Sequence, residues 1–235
     1  MGVLKTISMS LVLLPGMGLA AANVTAEPIV AHPPMTQCVS ATETQTLWEE
    51  IEPGQRCRVV AFRAVPGTHT TLFYQQQAYD LLKNATDTAP AGIGIVLLAK
   101  MPAQAAFRRV AGWAGSNAWI ERPRQVRTQQ GSIVVIPMTA QASMHPTYDA
   151  VLRIVAGKWT PVRTDRWQVK IPQGLSQRHG NAMDWPHLRA FGAMWKQGDP
   201  ECCPTGGTYI AHLRLDHATL RLASVRYSRH DLPFP

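Results

Sequence analysis

The chain has 235 residues, 46% of them hydrophobic, and Lys plus Arg exceed Asp plus Glu by eight. That length suits one domain or two small ones with a core of its own, and the charge excess speaks to solubility and anionic partners rather than to fold. A nucleic-acid interface is not expected, because the densest basic cluster, Arg122, Arg124 and Arg127, has no aromatic stacking motif beside it.

The first 22 residues read as an export signal. Lys5 precedes an apolar run from Ile7 to Leu14, Pro15-Gly16 breaks the run, and Leu19-Ala20-Ala21-Ala22 supplies small residues. Cleavage is expected after Ala22, with Ala26 as the alternative. Met1-Gly2 also opens a loose myristoylation pattern, but the signal reading accounts for more residues. The apolar run is too short to cross a bilayer core of roughly 30 Å, and no transmembrane segment is expected in the mature chain. Asn23-Val24-Thr25 and Asn84-Ala85-Thr86 are glycosylation sequons.

Residues 23–36 are rich in proline and read as an extended arm. A single domain over 37–235 follows, with a possible subdomain junction near 140–150. Cys57 to Arg63 reads as a strand. Leu72 to Leu82 is ambiguous between strand and helix. Ile93 to Met101, Phe107 to Trp113 and Ala118 to Glu121 read as strands. Gln125 to Thr128 and Ser132 to Met138 form a predicted hairpin about Gln129-Gln130-Gly131. Ala150 to Val155 and Trp159 to Val162 form another about Ala156-Gly157-Lys158, since Gly supplies the positive φ of such turns.

One helix is predicted, over about 185–197. Asp184 would cap it, Pro186 would sit in its first turn, Leu188, Phe191 and Trp195 recur at helical spacing, and Gly198 would end it. A last hairpin pairs Leu213 and Leu215 with Leu220 and Leu222 about a turn at Asp216 to Thr219. A phase change before Val225 and Tyr227 predicts a bulge. His212 would then be a surface residue. The expected class is α+β: β-rich, with antiparallel sheets of short hairpins and one C-terminal helix.

The chain carries four cysteines, Cys38, Cys57, Cys202 and Cys203, which allow three pairings. The favoured set joins Cys38 to Cys57 and Cys202 to Cys203, because loop closure is least costly between near neighbours. Adjacent Cα atoms stand about 3.8 Å apart, short of the usual disulfide span of roughly 4.4–6.8 Å. The vicinal bond is therefore unusual, and Pro204 holds Cys203 extended. A candidate site gathers at this turn: Asp199, Glu201, Thr205 and His212, with Asp199 ordering the turn through its backbone.

Catalytic motifs are lacking. G-x-S-x-G is absent, and Ser176 near His179 is weak evidence because triads are assembled by the fold. No catalytic residue, metal site or cofactor is assigned. Trp159, Trp167, Trp185 and Trp195 gather in the C-terminal half and read chiefly as core. Trp195 is placed in the core, and Trp113, between Gly112 and Gly115, is the candidate for exposure.

The stretch from Trp185 to Gly207, with Met194-Trp195, Asp199 and Cys202-Cys203-Pro204-Thr205-Gly206-Gly207, resembles a group of uncharacterised bacterial exported proteins. These carry D-x-x-C-C-P-[ST]-G-G near the C-terminus. The resemblance implies a periplasmic or secreted location and brings no activity. Three readings stand at this point. One is a structural or binding module of the envelope. The second is a thiol–disulfide or ligand-sensing protein using Cys202-Cys203. The third is a basic module for anionic envelope polymers.

Overall fold

The computed structural model describes residues 29–30, 37–39, 56–69, 71–80, 92–101, 106–116, 118–140 and 149–229. The segment expected to be a signal peptide, its expected cleavage site and both sequons fall outside this set, as does most of the expected arm.

The described chain is built of strands, and no helix occurs among the described residues. The first sheet takes β1 (Ile29–Val30), β2 (Cys57–Ala64), β3 (Leu72–Tyr79), β4 (Gly92–Lys100) and β5 (Phe107–Gly115), in the order β1-β5-β4-β3-β2. Next come β6 (Ala118–Ile120), β7 (Arg124–Thr128), β8 (Gly131–Ile136), β9 (Met138–Ala140), β10 (Ala150–Val155) and β11 (Lys158–Pro161). Of these, β11-β10-β8-β7 make a central sheet, and β6 pairs with β9. The rest are β12 (Leu175–Ser176), β13 (Ala182–Asp184), β14 (Arg189–Ala193), β15 (Trp195–Lys196), β16 (Thr208–Asp216) and β17 (Thr219–Ser228). The third sheet runs β13-β14-β16-β17, while β12 pairs with β15. All pairings between strands are antiparallel.

The middle of the central sheet, residues 133–136 of β8 with Val151 and Leu152 of β10, is buried on both faces. Alternate side chains of a strand point to opposite sides. Val134, Ile136 and Leu152 accordingly join Leu72, Ile95, Leu97, Ala111 and Trp113 of the first sheet. Ile133, Val135 and Val151 join Leu188, Ala190, Tyr209, Ala211 and Leu213 on the other side. Each Val, Leu or Ile side chain among them stabilises by about 1.5–3 kcal/mol when fully buried. The run Ile133-Val134-Val135-Ile136 is therefore apolar throughout, since neither face meets water.

On its outer face the first sheet carries Phe62, Phe73 and Phe107 in mutual ring contact. Two glutamines there are fully buried, Gln75 and Gln77. Gln75 Nε2 donates to Gln37 O at 2.9 Å, and its Oε1 accepts from Val39 N at 3.0 Å. Gln77 Nε2 donates to Val39 O at 2.6 Å, and its Oε1 accepts from Tyr79 OH at 2.8 Å. The two side-chain amides bond to residues 37–39 as a neighbouring strand's peptides would, satisfying buried polar groups on both sides. Cys38, between the gripped residues, is joined to Cys57 with Cα atoms 6.2 Å apart, inside the ordinary disulfide range.

The structure corrects the α+β expectation: the predicted helix over 185–197 is a hairpin. β13 turns through Trp185–Leu188 into β14, with Asp184 opposite Arg189. Leu188 has φ 50°, a left-handed backbone that cannot continue a right-handed helix. Asp184 does not cap a first turn. Its carboxylate accepts from Arg189 Nε at 3.0 Å and meets His187 Nδ1 at 2.9 Å. Burial would raise its pKa, but the Arg189 and His187 bonds outweigh this and hold it below the usual carboxylate range. The 3–4 spacing of Leu188, Phe191 and Trp195 arises from one turn residue and two strand residues.

The hairpin readings hold. Ala156 and Gly157 both have positive φ in the β10–β11 turn. The β16–β17 register slips so that His212 faces Ser224 while Leu213 faces Leu222, placing the bulge at Ala223. The ambiguous stretch is strand from Leu72 to Tyr79, and Leu81 and Leu82 lie outside the described residues. Trp195 is buried as expected. Trp113 is not exposed: it is 5% accessible, and among the described tryptophans Trp119 is the exposed one, at 62%. Trp113 faces the central sheet, whereas Trp119 sits on the short β6–β9 ribbon.

Gly192 lies opposite Tyr209, and a Cβ there would overlap the tyrosine ring. Gly192→Ala should lower the urea midpoint by an amount equivalent to about 1–3 kcal/mol, the cost of overpacking. Replacing Cys38 and Cys57 together by Ser should cost about 3 kcal/mol on the chain-entropy account, read from the same denaturation curve.

Candidate functional site

Two neighbouring features make up the candidate site: the Cys-Cys loop and a cleft beside it. The loop begins after β15 with a turn at Gln197-Gly198, where Gly198 has φ 91°. Asp199 organises the remainder of the loop. Its Oδ2 accepts from Lys196 N at 2.7 Å and Thr205 N at 2.8 Å, and its Oδ1 accepts from Thr205 Oγ1 at 2.9 Å. These bonds, led by the Thr205 amide, hold the Asp199 carboxyl below its usual range. Gly206 N donates to Met194 O, and Met194 N to Gly207 O, at 2.9 and 2.8 Å. A Cβ at Gly206 would come within 2.6 Å of Met194 O, so this close backbone approach requires glycine.

Cys202 and Cys203 are joined in a disulfide and are both exposed. Cys203 N donates to Pro200 O at 3.1 Å. Glu201 takes part through its carbonyl, which accepts from Trp195 Nε1 at 3.2 Å and meets His179 Nε2 at 3.3 Å. A carbonyl oxygen only accepts, so that ring nitrogen carries the proton. The His179 ring also meets Trp195 edge-on, 4.9 Å between centroids. Of the four expected site residues, Asp199, Thr205 and Glu201 come together. His212 does not join them; it is exposed on β16, opposite Arg189 and Ser224.

The cleft has a volume of about 840 Å³. Its apolar wall includes Trp113, Met138, Trp185 and Leu220, and its polar rim includes Arg163, Gln177 and Asn181. Trp113 and Trp185 are buried, while Trp167 is half-buried and presents part of its surface to the cleft. Asp149 stands at the wall, its Oδ2 accepting from Trp185 Nε1. Burial pushes the Asp149 carboxyl up, against the Trp185 bond and the Arg124 charge, while Glu121 adds to the rise. Arg163 is fixed by its backbone, its N donating to Ala218 O at 2.8 Å and its O accepting from Leu220 N at 2.9 Å.

Residues 177–181 belong to both features. They line the cleft, and Gln177 Nε2 braces them by donating to His179 O at 3.0 Å and Asn181 Oδ1 at 3.3 Å. Tyr209 OH also donates to Asn181 Oδ1. Towards the loop, Arg178 Nη1 donates to Asp199 O at 2.9 Å. Ser176 and His179 do not act as a pair: Ser176 is in β12 opposite Trp195, and the described His179 bond goes to Glu201 O.

Sequence reasoning missed Asp149, Arg163 and Arg178. Their partners lie 21 residues away or more for Arg178–Asp199 and Asp149–Trp185, and no short pattern marks them. The clustering of Trp167 and Trp185 was the available signal. Comparison with protein-family models, with characterised proteins and with solved structures returned no match.

Asp199 in the loop and Asp149 at the cleft give opposite pH dependences. Asp199 has a lowered folded pKa, so its stabilisation is present above the unfolded value of 3.8 and is lost as pH falls through the lower folded value. The Thr205 amide should keep its slow exchange to below pH 3.8 in the native chain and lose it in Asp199→Ala. Asp149 has a raised folded pKa, so stability declines as pH rises from the unfolded value through the folded one. Asp149→Asn, which keeps an oxygen for Trp185, should raise the melting temperature at pH 7 and leave it unchanged at pH 3.

Proposed function

We propose that the protein is an exported binding module of the bacterial envelope, and that its cleft takes a segment of a carbohydrate. The observation that carries this reading is Trp167, half-buried in a cleft whose other walls are Trp113 and Trp185 and whose rim holds Arg163, Gln177 and Asn181. A sugar ring has an apolar face of C–H groups and an edge of hydroxyls. An indole covers the first, and guanidinium, amide and carboxylate groups meet the second. The volume falls in the usual range for small-ligand sites, roughly 300–1,000 Å³. Charges of both signs on the rim, Arg163 with Asp165 among them at 3.8 Å, suit a ligand with many hydroxyls better than a simple ion. The predicted signal segment and the motif resemblance support an envelope location.

A second reading is supported by the outer face of the third sheet. Arg214 and Arg221 stand directly opposite each other on β16 and β17, and Arg226 lies across from Ile210. Like charges in that position are destabilising. Arg221 has Asp216 as a partner at 2.8 Å. Arg214 and Arg226 are left facing solvent, a surface fitted to an anionic polymer.

Titration of intrinsic fluorescence with chitotetraose and a panel of soluble oligosaccharides should find saturable binding, weakened about tenfold or more by Trp167→Ala. No response to any member of the panel, with the variant indistinguishable from the native chain, overturns the cleft reading. For the second reading, retention on immobilised heparin should fall with added salt and in the Arg214→Gln, Arg226→Gln double variant.

A further inference from the structure

We propose that Cys202–Cys203 is a thiol–disulfide exchange site whose state sets the shape of the cleft wall; its effect on ligand rests on the cleft reading above, while the structural coupling does not. Three observations meet here. Both cysteines are exposed at a loop tip, open to attack by a dithiol. The loop from Lys196 to Cys203 is exposed throughout except at half-buried Asp199, so packing contributes little to its order. And the loop's carbonyls hold the cleft wall: Asp199 O accepts from Arg178, and Glu201 O from Trp195 and His179.

The vicinal bond closes an eight-membered ring that includes the Cys202–Cys203 peptide. The ring fixes the backbone immediately after Glu201, whose carbonyl is the shared acceptor. Asp199 fixes the other side, bonding Lys196 and Thr205. Opening the ring restores torsional freedom at Cys202 and leaves Glu201 O without a fixed direction. Its two donors lose their geometry together, and His179, lining the cleft, is released from Trp195. The β12–β15 pairing of Leu175 with Lys196 and Ser176 with Trp195 carries the same loosening into the wall.

The chemistry balances with a dithiol as the reductant. One thiolate of the dithiol attacks a sulfur of the pair, breaking the Cys202–Cys203 bond and forming a mixed disulfide. The second thiol of the dithiol displaces it. Two electrons and two protons pass to the chain, which ends with two thiols, and the reductant ends as a disulfide. Cys38–Cys57 differs: both residues are half-buried, and buried Gln75 and Gln77 bond to the residues flanking Cys38.

The test treats the native chain with dithiothreitol under native conditions, alkylates it, and maps the modified cysteines by mass spectrometry. Amide exchange and chitotetraose binding are followed in the same samples. Alkylation should fall on Cys202 and Cys203 first. Exchange should accelerate about fivefold or more across 175–181 as well as in the loop, and chitotetraose affinity should fall by a similar factor. The Cys202→Ser, Cys203→Ser double variant should reproduce both effects without reductant, and reoxidation should reverse them in the native chain only. Reduction of the pair with exchange over 175–181 unchanged overturns the proposal, as does opening of Cys38–Cys57 before Cys202–Cys203. Failure of chitotetraose to bind the oxidised protein counts against the carbohydrate reading alone, since exchange reports the coupling without ligand.

Discussion

The structure depends on a strand segment with no solvent face. β8 runs between the other two large sheets with Ile133, Val134, Val135 and Ile136 all essentially inaccessible, and it contributes side chains to both cores. A one-residue slip of β8 against β10 would exchange the side chains offered to the two cores. Both faces are apolar, so hydrophobicity alone does not forbid the slip. Size and the turn do. Leu152 is matched to the first core and Val151 to the second, and the tight turn at Gln129-Gln130 sets where β8 begins.

From this arrangement the cleft follows. It opens where the start of β10, Ala150 and Val151 with Asp149 just before it, and the β11–β13 connection diverge, so its wall draws on residues from Ala111 to Leu220. Trp185 serves two ends: it belongs to the second core and its indole N–H reaches the carboxylate of Asp149. The same dual use recurs at Trp195, buried yet bonded to the carbonyl of Glu201. Two indoles thus tie polar backbone and side-chain groups at the surface to apolar packing beneath.

The hairpins were legible because their signals are local. Ala156-Gly157 adopts positive φ, and the phase change between Leu222 and Val225 is a bulge at Ala223. The segment after Asp184 was misread because the helical spacing of Leu188, Phe191 and Trp195 is also produced by a turn followed by a strand. The deciding fact, left-handed backbone at Leu188, belongs to a residue type with no preference for it. The role of Asp199 could be read because its partners Lys196 and Thr205 are near in sequence. The cleft could not, because Asp149, Arg163, Trp167 and Arg178 share no pattern until three sheets assemble. Trp113 was misjudged for a related reason: flanking glycines describe the backbone beside it and say nothing of the sheet stacked above.

The glutamines of β3 impose an uneven tolerance on the residues they hold. Gln75 and Gln77 engage only main-chain atoms at 37 and 39, so the exposed side chain of Gln37 is free to drift through evolution, and Val39 need only remain apolar to keep its place against the cluster of Tyr79, Val96, Leu98 and Phe107. Among apolar residues proline is barred at 39, for want of an N–H to offer Gln75. Relatives of this chain are therefore to be recognised across that stretch by two amide side chains spaced two apart on the strand, and not by the peptide they clasp.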